Sequence, residues 1–225
     1  MGLGVTEEAA LPAGTVRSLP RPVEADEPLG RIGPNALIQA AAALRAHHGV
    51  PFCEQVFREA GLFQHPGSAP ETMVHEAEVV RLHVALVRLL GAGEASAIAQ
   101  DAGERTAVYL LKHRIPRFAQ RVLSFLPALV GANILCRAIA RHAWTFVGSG
   151  QFVAKRGDPL VLTIVGGPLG GPQEACASLC AYYAATLHGV MAGALARRVT
   201  STFTLRTLDR LPACETSLSI GARAG

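Results

Sequence analysis

Ala143–Val165, AWTFVGSGQFVAKRGDPLVLTIV, is where the texture of the chain changes. Upstream, apolar residues recur at intervals of three and four, the pattern of helices with one inward face. From Trp144 onward aromatic and β-branched residues take over, and Trp144–Val147 reads as extended. Gln151–Lys155 alternates apolar and polar residues, and Arg156, Gly157 and Asp158 make a turn. Leu160–Val165 is a second β-rich run, so the spacing predicts an antiparallel hairpin. Helices first and antiparallel strands afterwards make an α+β chain, not the strand–helix alternation of a parallel sheet.

Going back from the hairpin, prolines and glycines punctuate the helices. Pro34 suits a first helical turn, with Leu37, Ile38, Ala41 and Leu44 on one face, and Gly49 ends that helix. Pro51 opens a short second helix. The periodicity then predicts helices over 71–90, 94–113, 117–126 and 128–142, divided at Gly91, Gly93 and Pro116. Tyr109, Leu110, Phe118, Val122, Leu126, Ile134 and Ile139 are the residues expected to bury. Going forward, a glycine-rich loop covers 166–172, and a long helix runs from Gln173 to about Arg197. Val199–Leu205 and Cys214–Ile220 close the sheet. Residues 1–29 are rich in Pro, Gly and Glu without lasting periodicity and are expected to be disordered or loosely ordered. That leaves one α+β domain over 30–225, with helices over 34–142 and the sheet with its helix over 143–221. The expected architecture is an N-terminal helical bundle packed on a small antiparallel sheet with one long crossing helix.

At 225 residues the chain is long enough for one good core. Its 21 basic and 17 acidic residues give a net charge of +4, and all but two of the cations are arginines. No basic run is interleaved with aromatics and no DNA-binding motif is present, so no nucleic-acid partner is expected. Five cysteines, an odd number, argue against a disulfide framework. The N-terminus has no basic start followed by an apolar core, so no secretory signal is expected. The longest apolar run, Val122–Cys136, is broken by Pro127 and Gly131 and falls short of the roughly 20 residues of a spanning helix. The expectation is a cytoplasmic protein. Arg114–Val130 is the region that would touch a membrane surface, a buried helix pair being the plainer reading of it.

Several chemistries lack their residues. The glycines at 166–171 do not fall as G-x-G-x-x-G, no lysine follows them, and no acidic residue stands about 20 positions on. Ser149, between Gly148 and Gly150, lies in a hairpin and not at a strand-to-helix elbow. Cys176 and Cys180 with distant Cys214 do not make an iron–sulfur set. What stands out is Arg105–Phe152. It holds the only Trp, His113, His142 and a dense set of arginines that includes Arg114, Arg117 and Arg121. Apolar and cationic together, it suits a flat apolar molecule that carries carboxylates.

The stretches RIGPNAL (31–37), YLLKHRIPRFAQ (109–120) and AIARHAWTFVGSGQF (138–152) resemble the bacteriochlorophyll 4-vinyl reductase family of photosynthetic purple bacteria. The resemblance covers Arg31 to Ile220. Its C-terminal half is similar to the 4-vinyl reductase domain, a small-molecule-binding module related in fold to subunits of a vesicle-tethering complex. By analogy with those subunits, the resemblance implies a homodimer. It also implies a ligand, a chlorophyllide-type Mg-tetrapyrrole, and a reaction, reduction of its 8-vinyl group (4-vinyl in older numbering). Saturating a vinyl group needs an electron donor, and donors bind through recognisable elements that this sequence does not show. The expectation is therefore a carrier or accessory with no built-in cofactor, working beside other pigment-biosynthesis enzymes. The alternative is the reductase itself, fed by an external donor. His113 and His142 are the candidate axial ligands, with His188 third. Arg114 and Arg117 would clamp the propionate, and Tyr109 and Trp144 would line the ring face. In the related sensor proteins the domain holds zinc through four ligands. Laid on this chain from Cys180, those positions fall on Cys180, Phe203, Arg206 and Cys214, a degenerate set from which no zinc is expected.

Overall fold

The computed structural model describes residues 15–17, 30–62 and 72–223. In chain order these form β1 (Thr15–Arg17), β2 (Arg31–Ile32), α1 (Asn35–Glu59), β3 (Val74–His75) and α2 (Glu76–His113). There follow α3 (Arg117–Phe125), α4 (Ala128–Arg141), α5 (Trp144–Val147), β4 (Gln151–Lys155) and β5 (Leu160–Val165). A short 3-10 turn at Gly167–Gly170 leads to α6 (Gln173–Leu195), β6 (Arg197–Leu208) and β7 (Leu211–Arg223).

Proline and glycine place the helix ends for simple reasons. Pro116, Pro127 and Pro172 stand immediately before α3, α4 and α6, where a missing N–H costs nothing. α1 and α2 are each two helical segments joined at a kink, at Gly49 (φ 82°) and Gly91 (φ 79°). Those left-handed backbone positions suit glycine, which has no Cβ to clash.

α6 is the hub. One side packs on α2, the other on β6 and β7. The crossing with α2 is close because the contact residues are small. A Cβ at Gly103 would run into the Tyr182 carbonyl oxygen and lie 2.9 Å from the Ala185 Cβ. A Cβ at Gly189 would lie 2.6 Å from that of Ala107, and one at Gly193 would run into Leu111. The hydroxyl groups along this seam are paired. The Thr106 and Tyr182 hydroxyls lie 3.1 Å apart, and Thr186 Oγ1 donates to the Tyr182 carbonyl at 2.9 Å. By length and composition α2 and α6 could each cross a bilayer, a test that core helices also pass; α6 is buried along most of its length.

The main sheet is antiparallel with strand order β1-β4-β5-β7-β6. Register sets one apolar face against α6. Phe152 pairs Ile164, which pairs Cys214; Ala154 pairs Leu162, which pairs Thr216; Leu160 pairs Leu218. All of these are buried. β2 and β3 form a separate two-stranded sheet.

Several expectations are corrected. The helices do not form a bundle stacked on the sheet: α6 packs on β6 and β7, α4 packs on β1 and β4, α2 lies on the far side of α6, and α1 packs on α2. Trp144–Val147, read as extended, is the helix α5. Its carbonyls are fixed by distant donors, since the Tyr183 hydroxyl donates to Phe146 O at 2.9 Å and the Gly33 N–H to Thr145 O at 2.7 Å. Such contacts override a local β preference. Phe118, Val122 and Ile134, expected in the core, are exposed. Cys180 and Cys214 are joined in a disulfide between α6 and β7, their Cα atoms 5.4 Å apart. Their proximity follows from α6 lying on β7, which a spacing of 34 residues does not announce. Bonded to each other, their sulfurs are not thiolate ligands. The expectation of a loosely ordered 1–29 falls outside the described residues, apart from β1, which pairs with β4 at the sheet edge.

Glu76, the first residue of α2, holds the glycine–serine–glycine turn of one family-like stretch. Its carboxylate accepts from the Ser149 N–H at 2.9 Å and from the Ser149 hydroxyl at 2.6 Å. Gly148 (φ 57°) must be glycine, because a Cβ there would run into that carboxylate. Charge-assisted hydrogen bonds of this kind contribute about 1.5–3 kcal/mol. Glu76→Ala is therefore expected to lower the unfolding free energy by about 2 kcal/mol, read from urea denaturation. An unchanged midpoint would mean that the GSG turn is held by other contacts.

His83 is fully buried on α2, with Nδ1 2.8 Å from the Ser178 hydroxyl and no partner for Nε2 among the described residues. Burial pushes its pKa down to about 3. The unfolded chain, with the ordinary value near 6.5, then binds a proton that the folded one refuses. Stability is unaffected above about pH 6.5 and falls as pH drops from there toward 3, by up to about 1.4 kcal/mol per pH unit. His83→Gln should flatten this slope between about pH 6 and 4 in chemical denaturation; a slope identical to wild type would show that other groups carry it.

Candidate functional site

The expected site residues divide into two groups. Tyr109 and His113 lie one turn apart on α2, their ring centroids 4.8 Å apart and tilted by 35°. Arg114 caps the same helix and Arg117 opens α3, both exposed. His142 and Trp144 are elsewhere. His142 caps the far end of α4, with Nδ1 2.9 Å from the Ala138 carbonyl, so it serves the helix terminus. Trp144 is half-buried at the start of α5. Two positions on α6 measure the separation. Leu111, next to the first group, packs at Gly193, and Tyr183 bonds α5. Ten residues of helix between them span roughly 15 Å. His188 is also apart, its Nδ1 2.9 Å from the Ser201 hydroxyl.

Of the first group, Tyr109 and His113 line an open groove of about 500 Å³ where α1 meets α2. Its walls are Gln39 from α1 and Asp101, Glu104, Arg105, Val108, Tyr109, Lys112 and His113 from α2. Those α2 positions follow a 3-4 spacing, so they form one face of the helix. One end is occupied by paired charges: Arg105 Nε lies 3.0 Å from both Asp101 oxygens, and Asp101 also faces His47 Nε2 at 3.2 Å. At the other end Lys112 and His113 are exposed beside the Tyr109 ring. Chemically, this is an aromatic and apolar floor with an imidazole and an ammonium at one edge. Lys112, Arg105, Val108 and Gln39 were not among the expected site residues. The helical spacing from Arg105 to His113 was the signal that would have found the first three.

The cysteine pair is not part of this site. Cys180 and Cys214 are buried under the sheet, and of the two other positions in the zinc pattern, Phe203 is exposed and Arg206 pairs with Glu215 at 3.1 Å.

No family model matches the chain. Two curated proteins do. The bacteriochlorophyll synthase 23 kDa chain of Cereibacter sphaeroides is 35% identical over 189 residues, spanning 84% of this chain and 90% of that protein. The protein of the same name from Rhodobacter capsulatus is 39% identical over 145 residues, spanning 64% of this chain and 65% of its own length. The chain belongs to this family. That membership ties it to bacteriochlorophyll biosynthesis, and it bears out the resemblance at that level, without singling out 4-vinyl reduction.

Solved structures correct the expected fold. A structure from a study of heme distortion in the H-NOX family superposes with a TM-score of 0.56 at 10% identity, covering 85% of this chain and 96% of that one. A mutant H-NOX structure from T. Tengcongensis gives 0.52 at 10% identity, over 85% and 100%. An oxygen-binding H-NOX domain related to soluble guanylate cyclases gives 0.51 at 10% identity, over 84% and 95%. The architecture is therefore that of H-NOX domains, and the layout expected from tethering subunits is set aside. At such identity the likeness carries the fold alone.

Proposed function

We propose that this chain is a carrier in bacteriochlorophyll biosynthesis: it binds a Mg-tetrapyrrole of the chlorophyllide type in the α1–α2 groove and delivers it to the enzymes that act on its 8-vinyl group. The observation that supports this best is the groove itself. Tyr109 and Val108 offer a flat apolar floor, His113 an imidazole nitrogen for the central Mg²⁺, and Lys112 an ammonium for the propionate. Arg114 and Arg117, exposed just beyond the groove, add further cations at that edge. The family name speaks of bacteriochlorophyll synthesis, and a structure of the same fold comes from work on heme, another tetrapyrrole. Openness favours a carrier: a groove that leaves one side of its ligand in solvent lets it go, whereas reaction sites exclude water.

The test is incubation of the pure protein with divinyl pigment and NADPH. A carrier leaves the vinyl group intact and co-elutes with the pigment on a sizing column. Turnover by the protein alone would make it the reductase and overturn the carrier reading; separate elution would overturn the binding reading.

A further inference from the structure

The α3–α4 hairpin presents large apolar side chains that remain exposed among the described residues. Phe118 is 72% exposed and Phe125 71% exposed, and Val122, Leu129, Val130 and Ile134 are exposed with them. On α3, residues 118, 122 and 125 fall on one face. α3 buries only Leu123, and α4 turns Gly131, Ala132, Leu135 and Cys136 inward. The two helices touch: a Cβ at Gly131 would lie 3.2 Å from the Leu123 carbonyl oxygen. A monomer rarely leaves six large apolar side chains of one helix pair in water without use.

Charge tells what covers it. No acidic residue occurs between Glu104 and Asp158, and that stretch contains Arg114, Arg117, Arg121, Arg137 and Arg141, all exposed. The end of β7 adds Arg223, whose guanidinium lies 5.3 Å over the Phe125 ring and donates to Ser124 O at 2.8 Å. Arg197 donates to Leu126 O at 3.1 Å. These two arginines fasten the turn between α3 and α4 to the sheet, so the face is preformed. A second copy of the chain fits poorly, because a two-fold interface sets a patch against itself and would bring arginine to arginine. The pigment groove is lined by none of the six apolar residues.

We infer that the α3–α4 hairpin is a membrane-docking face for anionic phospholipid, with Phe118 and Phe125 entering the headgroup boundary and the arginines engaging the lipid phosphates. Short amphipathic helices with aromatic residues on one side and arginines beside them lie in that interface. The apolar residues of this surface are separate from the pigment groove, and Arg114 and Arg117 stand between the two. Docking there would hold the groove near a bilayer, where a greasy ligand partitions.

Full-length protein is floated with vesicles of phosphatidylcholine alone or mixed with phosphatidylglycerol. The expected result is binding to the mixed vesicles only, lost in about 0.5 M salt, where screening is strong. Phe118→Ser with Phe125→Ser, and separately Arg121→Glu with Arg137→Glu, should each lower partitioning by about tenfold or more. Unchanged pigment binding by the Phe pair separates this surface from the groove, and an unchanged melting temperature shows that the fold is intact. Wild-type protein that stays in solution, or that binds both vesicle types equally, overturns the inference. So does a wild-type dimer that the Phe pair dissociates in the absence of any vesicle binding.

Discussion

Gly103→Val is expected to unfold the protein or nearly so. The site is the closest point of the α2–α6 crossing. The first added atom already meets the Tyr182 carbonyl, the Ala185 methyl at 2.9 Å and the Thr186 nitrogen at 3.2 Å. Two of these are backbone, so no side chain can rotate away. The helices must separate, and separation opens the Thr106–Tyr182 pair and the bond that Thr186 Oγ1 donates to the Gly103 carbonyl at 3.2 Å, both of which cross the same seam. Overpacking costs about 1–3 kcal/mol, and each buried hydrogen bond left unmade costs about 1–3 more. A loss of about 4 kcal/mol or greater is therefore expected, large against the roughly 5–15 kcal/mol that folded domains possess. Circular dichroism during thermal melting would show it. Gly91→Ala makes a useful contrast. It has open space around its Cβ but a positive φ, so it should cost about 1–3 kcal/mol, from backbone strain alone. If valine at 103 melts like wild type, α6 is not the hub described here.

The second large effect concerns the groove. His113→Ala should weaken binding of the Mg-pigment by about tenfold to a hundredfold, since one ligand to the metal and one wall of the ring contact are lost. Binding of the metal-free pigment should change less, because only the ring contact remains to lose. Lys112→Glu should weaken both pigments alike, and the loss should shrink as salt rises, because the charge sits at an exposed edge. Both side chains are exposed, so stability should shift by less than about 0.5 kcal/mol. Fluorescence titration of each pigment against each variant separates these outcomes. Equal loss for both pigments on His113→Ala would remove the metal-ligand role from the imidazole.

Much of the fold was legible in residues with local meaning. Pro116, Pro127 and Pro172 start helices because they cannot continue them, Gly49 and Gly91 mark the kinks, and alternation over 151–165 marks the hairpin. What local pattern does not contain is which side of an amphipathic helix meets the core. Phe118, Val122 and Ile134 lie at helical spacing either way, and only the packing of Leu123 and Gly131 turns them outward. Nor does it contain long-range pairings: β1 against β4, the bond between Cys180 and Cys214, or the donors from Tyr183 and Gly33 that fold Trp144–Val147 into a helix. The candidate site shows the same division. Tyr109 and His113 share a helix face and stay together, while His142 and Trp144 were grouped with them by nearness in sequence and chemical type. The intervening α4 carries them away.

The central claim, a Mg-tetrapyrrole seated on the Tyr109–His113 face, is tested most directly by a visible-absorption titration of Mg-divinyl pigment with wild-type protein and with the Tyr109→Ala, His113→Ala double variant. The account predicts a saturable red shift at one pigment per chain for wild type, and none for the double variant at the same concentrations. An identical shift with both proteins, or no shift with either, would contradict it.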